Sequence, residues 1–386
     1  MAKILFVMKY PLEDAYSVKN KLNGQMKAVE DMGHEVWYVA YDRKYTYLIH
    51  NGEKTVIKKI WFGNWKQYIH IKAFYDLYDS VRRVLKTMSF DIVYMRRCPL
   101  SPGGYKMCRD IVRSGSKLVE EIPTYSSVKE AQASFLREMY LKWSRYWWKR
   151  VHPMLTLYTL IGDREDSIGE IPALNIDNGT DVDMLPLRQP QFDEEKIHLF
   201  ALAAMSDWQG YDRIINGIAQ LSPAEREQVI LHMVGGEGNG ALAQWEQLTR
   251  DLGLEKQVIF HGIKVGAELD PFFEQADVGI GSLGLYRKGL QSASILKLRE
   301  YCSRGLPFIY AGMDASLPEE QPFCVQVPND DTVIDVSMVM EFARKMRKSP
   351  DMPQIMRQYA KKNMSWQVQF EKVFAKLHEI ETKKGK

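Results

Sequence analysis

A length of 386 residues leaves room for two domains with separate cores, and 45% hydrophobic with 26% charged residues is the balance of an ordinary globular chain. A net charge of +3 is too small to imply nucleic acid as a partner, so any basic surface must be local. The four cysteines form no CxxC pair, no apolar run reaches 18 residues, and the N-terminus lacks the apolar stretch of a signal peptide, so the expected setting is reducing and cytoplasmic.

In chain order, residues 3–8 read as a buried parallel strand and 19–32 as a helix capped by Gly33. A strand follows at 35–41, then a mixed aromatic and basic stretch at 61–86 around a helix. Residues 91–95 and 117–122 read as strands and 104–113 as a helix. Residues 134–150 read as a helix, with Leu136, Met139, Tyr140, Trp143, Tyr146 and Trp147 at helical spacing and Arg137, Lys142, Arg145, Lys149 and Arg150 between them. Its aromatic stripe either packs on the first sheet or faces a membrane or an acceptor. Trp147 and Trp148 are adjacent, so one of them is expected outside. Strands at 154–161 and 174–176 precede a turn at Asn178-Gly179. Two prolines and weak periodicity place the domain boundary within 184–196, giving domains 1–188 and 189–365 and a terminal helical segment, 366–386, that folds back on the first.

The alternation restarts after that boundary. Strands are expected at 198–203, 229–234, 258–261, 278–281, 308–311 and 325–327, and helices at 212–221, 241–252, 268–275, 295–304 and 371–382. Apolar strands alternating with helices define an α/β chain of two doubly wound, Rossmann-like domains facing a central cleft.

Ligands of such sheets sit at the carboxyl ends of the strands. One such loop, Gly235-Gly236-Glu237-Gly238, offers amides at a helix start, the arrangement that favours phosphate, and reads otherwise as a flexible turn. A second, residues 282–295, brings Arg287 and Lys288 to the helix that carries Lys297 and Glu300 on one face; the plain alternative is a surface ion pair. A third, DWQGYDR at 207–213, puts Arg213 at a helix start, with Asp212 readable as a simple cap.

Taken together these loops resemble the retaining glycosyltransferases of family 4, which have the GT-B fold. The resemblance is strongest over residues 198–312, with SILKLREYCSRGLPFIYAG at 294–312 its most specific element, and GGEG, VIFHG, ADVGIGSL, GHEV and NGTDVD beside it. WQGYDR, YRKGL, LKLREY and EIPTY are similar to a bacterial branch that builds surface polysaccharides. The resemblance implies a hexose moved from a nucleoside-diphosphate sugar, UDP-linked above all, to a glycan, lipid-linked or protein-linked acceptor with retention. It implies donor binding by Gly210, Gly235, Gly236, Glu237, Gly262, Ile263, Ser294, Ile295 and Glu300, with Glu300 on the ribose and the nucleobase near residues 262–264, while the loop cations Arg213, Arg287, Lys288 and Lys297 are inferred to hold the diphosphate in place of the family's own basic pair. Arg213 and Lys297 would stabilise the leaving diphosphate, and Glu121 and Thr124 would position sugar or acceptor.

The chain departs from the family where the first glutamate of its Glu-x7-Glu pair falls at Ser292 and where its phosphate-gripping arginine and lysine fall near Ala204 and at Gln209. A histidine frequent in the family's first domain has no counterpart. Asp181-Val182-Asp183 spells the metal-binding pattern of the other main glycosyltransferase fold, but no metal and no cofactor is expected. The expected partners are a nucleotide sugar and an acceptor, with peripheral contact at the inner face of the membrane if the aromatic-basic helix touches lipid, and no nucleic acid. A sugar-nucleotide epimerase and a non-catalytic partner subunit of the same fold remain as alternatives.

Overall fold

A computed structural model describes residues 1–12, 18–61, 72–125, 135–318 and 320–384. The chain forms two compact units, Met1–Asp177 with Gln369–Lys386, and Asn178–Val368.

In the first unit the order is β1 (Lys3–Val7), α1 (Lys19–Asp31), β2 (Glu35–Tyr41), β3 (Tyr45–His50), β4 (Glu53–Lys59), α2 (Lys72–Val84), β5 (Ile92–Arg96), α3 (Pro102–Arg113), β6 (Lys117–Tyr125), α4 (Phe135–Val151), β7 (Leu157–Gly162), β8 (Ser167–Ile168) and β9 (Ile171–Asn175). These strands make a nine-stranded sheet in the order β4-β3-β2-β1-β5-β6-β7-β9-β8. Its centre is parallel and its edges antiparallel. The apolar runs of β1 and β5 are buried, as strands covered on both faces must be. Helix α3 starts where it does because Ser101 accepts the Gly104 amide and Pro102 occupies the first turn.

In the second unit the order is β10 (Ile197–Leu202), α5 (Tyr211–Gln220), α6 (Pro223–Arg226), β11 (Val229–Val234), α7 (Ala241–Asp251), β12 (Val258–Phe260), α8 (Asp270–Gln275), β13 (Val278–Ile280), α9 (Leu296–Arg304), β14 (Phe308–Ala311), β15 (Cys324–Val327), α10 (Val336–Arg347), α11 (Met352–Asn363) and α12 (Trp366–Lys384). All six strands run parallel in the order β12-β11-β10-β13-β14-β15. That is the doubly wound order, and the strand sequence reverses between β10 and β13.

Several expectations need correction. A β3–β4 hairpin and the short β8 were not anticipated, nor were α10 and α11. Asn178-Gly179 is not a turn; Gly179 lies against the Trp366 backbone, where a side chain would collide. The boundary falls at Asp177/Asn178, not within 184–196, because the proline segment is fastened inside the second unit. There buried Arg188 donates to the carbonyls of Gly305, Phe273 and Ala276. The chain passes between units again at Val368/Gln369, inside α12. All four cysteines are free thiols.

Candidate functional site

The switch point of the second sheet directs attention to the loops leaving β10 and β13. They meet backbone to backbone. Gly210, at φ +68°, lies so close to Leu283 and Gly284 that any side chain would overlap them. Leu283 N–H donates to Gln209 O at 2.7 Å, and Ser282 Oγ donates to Gln209 Oε1 at 2.8 Å. Into this junction α9 delivers Lys297 from its first turn. Its Nζ donates to Gln209 Oε1 at 2.6 Å and to Tyr211 OH at 2.7 Å. No carboxylate pairs with it among the described residues, and burial pushes its pKa down to about 7. Lys297, carried by α9, thus brings its amino group against the Gln209 side chain at this junction.

The other expected cations are committed elsewhere. Arg287 forms two bonds to Asp212 at 2.8 and 2.7 Å and reaches Asp207 and Asp331. Those bonds, above all to Asp212, raise its pKa and neutralise its field. Arg213 is 2% exposed and spans from Thr332 O, at 2.7 Å, to Leu283 O. It fastens two loops together and does not present its guanidinium as an open anion ligand. Asp212 is thus the partner of Arg287. Lys288 lies over the Trp208 ring at 4.0 Å.

The glycine loop is internally satisfied as well. Gly235 N–H donates to Gly262 O at 2.8 Å and Gly238 N–H to Met205 O at 3.0 Å. Glu237 accepts the Gly240 amide; burial opposes its charge, but the amides around it, Gly240 first, hold its pKa below the usual range. The start of α7 therefore already carries an anion. Gly236 is covered by the side chain of Ile263, itself 72% exposed. Ser294 Oγ accepts from Asn178 N at 2.6 Å, and its carbonyl accepts from Asn178 Nδ2. Ile295 is the residue before α9. Glu300 Oε1 accepts from Arg304 Nε at 3.1 Å, and burial raises its pKa. Its Oε2 has no hydrogen-bond partner among the described residues.

In the first unit, Glu121 is wholly buried. Arg96 Nη1 lies 2.9 Å and Lys21 Nζ 3.2 Å from Oε1, while Gln25 and Tyr94 donate to Oε2. Burial opposes its charge, yet Lys21 and Arg96 hold its pKa below the usual range. Such a carboxylate holds the sheet to α1 and is not open to a substrate. Its neighbour Glu120 points to the other face and pairs with Arg97. The Thr124 side chain lies outside the described residues.

On α4, Met139 is 54%, Trp143 38% and Tyr146 49% exposed, so this part of the stripe faces outward, while Trp147 packs against the core of the first unit; the Leu136 side chain lies outside the described residues. Both Trp147 and Trp148 are half-buried, and Trp148 donates to Cys98 O at 3.0 Å. Among the described residues no helix is long and apolar enough to cross a membrane, and no group of three His, Cys, Asp or Glu could hold a metal. Asp183, of the DVD string, pairs with Lys361 at 2.6 Å. Sequence reasoning missed a row of three histidines, His198, His232 and His261; its only trace is one histidine in or just after each of three apolar strands.

No protein-family model matches the chain, and no curated protein matches it. Solved structures do. Anabaena HepE in complex with UDP superposes with a TM-score of 0.59 at 13% identity, over 98% of this chain and 100% of that one. A glycosyltransferase from Rickettsia africae gives 0.60 at 12%, over 98% of each chain. The catalytic domain of starch synthase IV from Arabidopsis thaliana, bound to ADP and acarbose, gives 0.64 at 10%, over 97% of this chain and 99% of that one. The chain thus has the two-domain parallel-sheet fold of the GT-B glycosyltransferases.

Proposed function

We propose that the chain is a glycosyltransferase that moves a hexose from a nucleoside-diphosphate sugar, UDP-linked above all, to a glycan, lipid-linked or protein-linked acceptor in surface-glycan synthesis. The fold shared with HepE and starch synthase IV, solved with UDP and ADP, supports a nucleotide as ligand. Retention and membership of family 4 follow from the sequence resemblance.

The observation that carries the reading is Lys297. An ammonium held by neutral partners at the switch point, in the first turn of a helix, is arranged for an anion that is not part of the protein. A diphosphate there would gain negative charge as its bond to the sugar breaks. Lys297 and the first turn of α9 would stabilise that charge without metal or cofactor. Glu300 Oε2 would accept from a ribose hydroxyl, and the nucleobase would lie at residues 262–264. The stripe of α4, with Lys142, Arg145, Lys149 and Arg150 around exposed aromatic residues, would rest on an anionic membrane at the cytoplasmic face where a lipid-linked acceptor is presented.

Calorimetry with UDP and uridine tests the central point. The wild type is expected to prefer UDP by a hundredfold or more, and Lys297→Met to lose at least about tenfold of that preference, the worth of one charge-assisted bond. Equal preference in the two proteins would place the phosphate site elsewhere.

A further inference from the structure

Three histidines on neighbouring strands of the second unit form a continuous row. His198 Nδ1 lies 2.8 Å from His232 Nε2, and His232 Nδ1 lies 2.9 Å from His261 Nε2. Phe272 of α8 packs edge-on against the latter two rings. At the far end, Asp193 Oδ2 is 3.5 Å from His198 Nε2, and Gln275 Nε2 is 3.4 Å from the same nitrogen. The charges nearby are Asp277 with its partner Arg347, and Lys264 beside His261.

Burial lowers the pKa of all three rings, that of His232 to about 4, so the row is neutral at pH 7. A neutral imidazole carries one proton, so each ring donates once and accepts once. The row must therefore have a single polarity, and an end with only one role decides it. Asp193, kept ionised by the amides of Glu195 and Lys196, can only accept. The Gln275 amide can turn either its oxygen or its nitrogen to the ring and follows. His198 Nε2–H then donates to Asp193, His232 Nε2–H to His198, and His261 Nε2–H to His232. His261 Nδ1 is left as a bare acceptor with no partner among the described residues. His261 immediately precedes Gly262 and the exposed Ile263.

We propose that this row fixes His261 Nδ1 as an acceptor that selects a nucleobase presenting a ring N–H, uracil or guanine, over cytosine or adenine. The assignment rests on the nucleotide-site reading above, with the base at residues 262–264. Cytosine and adenine would oppose the Nδ1 lone pair with one of their own, an unmet pairing of the kind that separates close analogues strongly.

The test uses the full chain, two pyrimidine nucleotides and the purine nucleotides GDP and ADP. UDP is expected to bind about tenfold or more tighter than CDP, and His261→Phe to bring the two within about twofold while the preference for UDP over uridine persists. Long-range 15N–1H spectra of the wild type, which need no variant to fold, should show the Nε2–H tautomer at His261 and a shifted Nδ1 resonance with UDP. An Nδ1–H tautomer, or an unchanged UDP-to-CDP ratio in His261→Phe, overturns the assignment while leaving the nucleotide site standing. If none of UDP, CDP, GDP and ADP binds the wild type, the nucleotide-site reading falls and this assignment falls with it.

Discussion

Lys297 is an ammonium whose neighbours solvate it without neutralising it. Its pKa of about 7 means that at pH 8 roughly nine-tenths of the chains hold it uncharged. An anion placed against it favours the charged form, so binding must draw a proton from solvent. At pH 8, UDP binding measured in buffers of different ionisation enthalpy should show uptake of most of one proton. At pH 6 the lysine is already charged, and its share of the uptake should vanish. Lys297→Met should lose the uptake at pH 8, where the UDP phosphate is itself fully ionised, and uptake persisting there would move the titrating group elsewhere. Glu121 presents the opposite case, a carboxylate with its charge fully matched. Glu121→Gln leaves Lys21 and Arg96 buried without their counter-ion, and removing one partner of such a pair costs about 3–5 kcal/mol. Chemical denaturation should show that loss. A stability within about 1 kcal/mol of wild type would mean that Glu121 is not what holds α1 to the sheet.

Among the elements, α4 makes the clearest demand on its surroundings. A helix exposing Met139, Trp143 and Tyr146 between basic residues has an amphipathic character that water alone does not explain. The chain should co-sediment with vesicles containing about a third anionic lipid, and substituting Trp143 and Tyr146 by serine with Lys142 and Arg145 by glutamine should reduce the bound fraction severalfold. Equal sedimentation of both proteins would assign the stripe another role. The elements also show what a sequence exposes. Most of the parallel strands are legible because they are short apolar runs. The β3–β4 hairpin is equally legible, since Asn51-Gly52 between alternating strands is a strong turn signal and both residues adopt positive φ. Helix α10 carried its own marks, an Asp335 cap and buried Val336, Val339, Met340 and Ala343 at helical spacing. The two-residue β8 is too short to carry any pattern. In the site, Lys297 and Glu300 were readable as one helix face. The capture of Arg287 by Asp207, Asp212 and Asp331, and the alignment of three histidines, depend on strand order and register that no local window contains.

For the molecule as a whole, the terminal segment has consequences out of proportion to its length. From Gln369 onward α12 belongs to the first unit, where Phe370, Val373 and Leu377 are buried. Phe370 packs against Phe6 and Tyr94, ring centroids 6.0 and 5.3 Å away, so it covers the two central strands β1 and β5. Gln369 accepts the Asp177 amide at 3.0 Å, and Glu381 pairs with Lys117. Burying one large apolar side chain is worth about 1.5–3 kcal/mol, so three of them supply roughly 5–9 kcal/mol before the surface they cover is counted. That approaches the whole stability of a typical domain, about 5–15 kcal/mol. The second unit keeps its own six-stranded sheet and core without these residues. A chain ending at Val368 should therefore unfold unevenly. Hydrogen exchange read by mass spectrometry should show protection lost across β1, β5 and β6 and retained across β10, β11, β13 and β14. Full protection of β1 and β5 in the shortened chain would show that the first sheet is stable without its last helix, and that the burial of Phe370, Val373 and Leu377 contributes far less than their area implies.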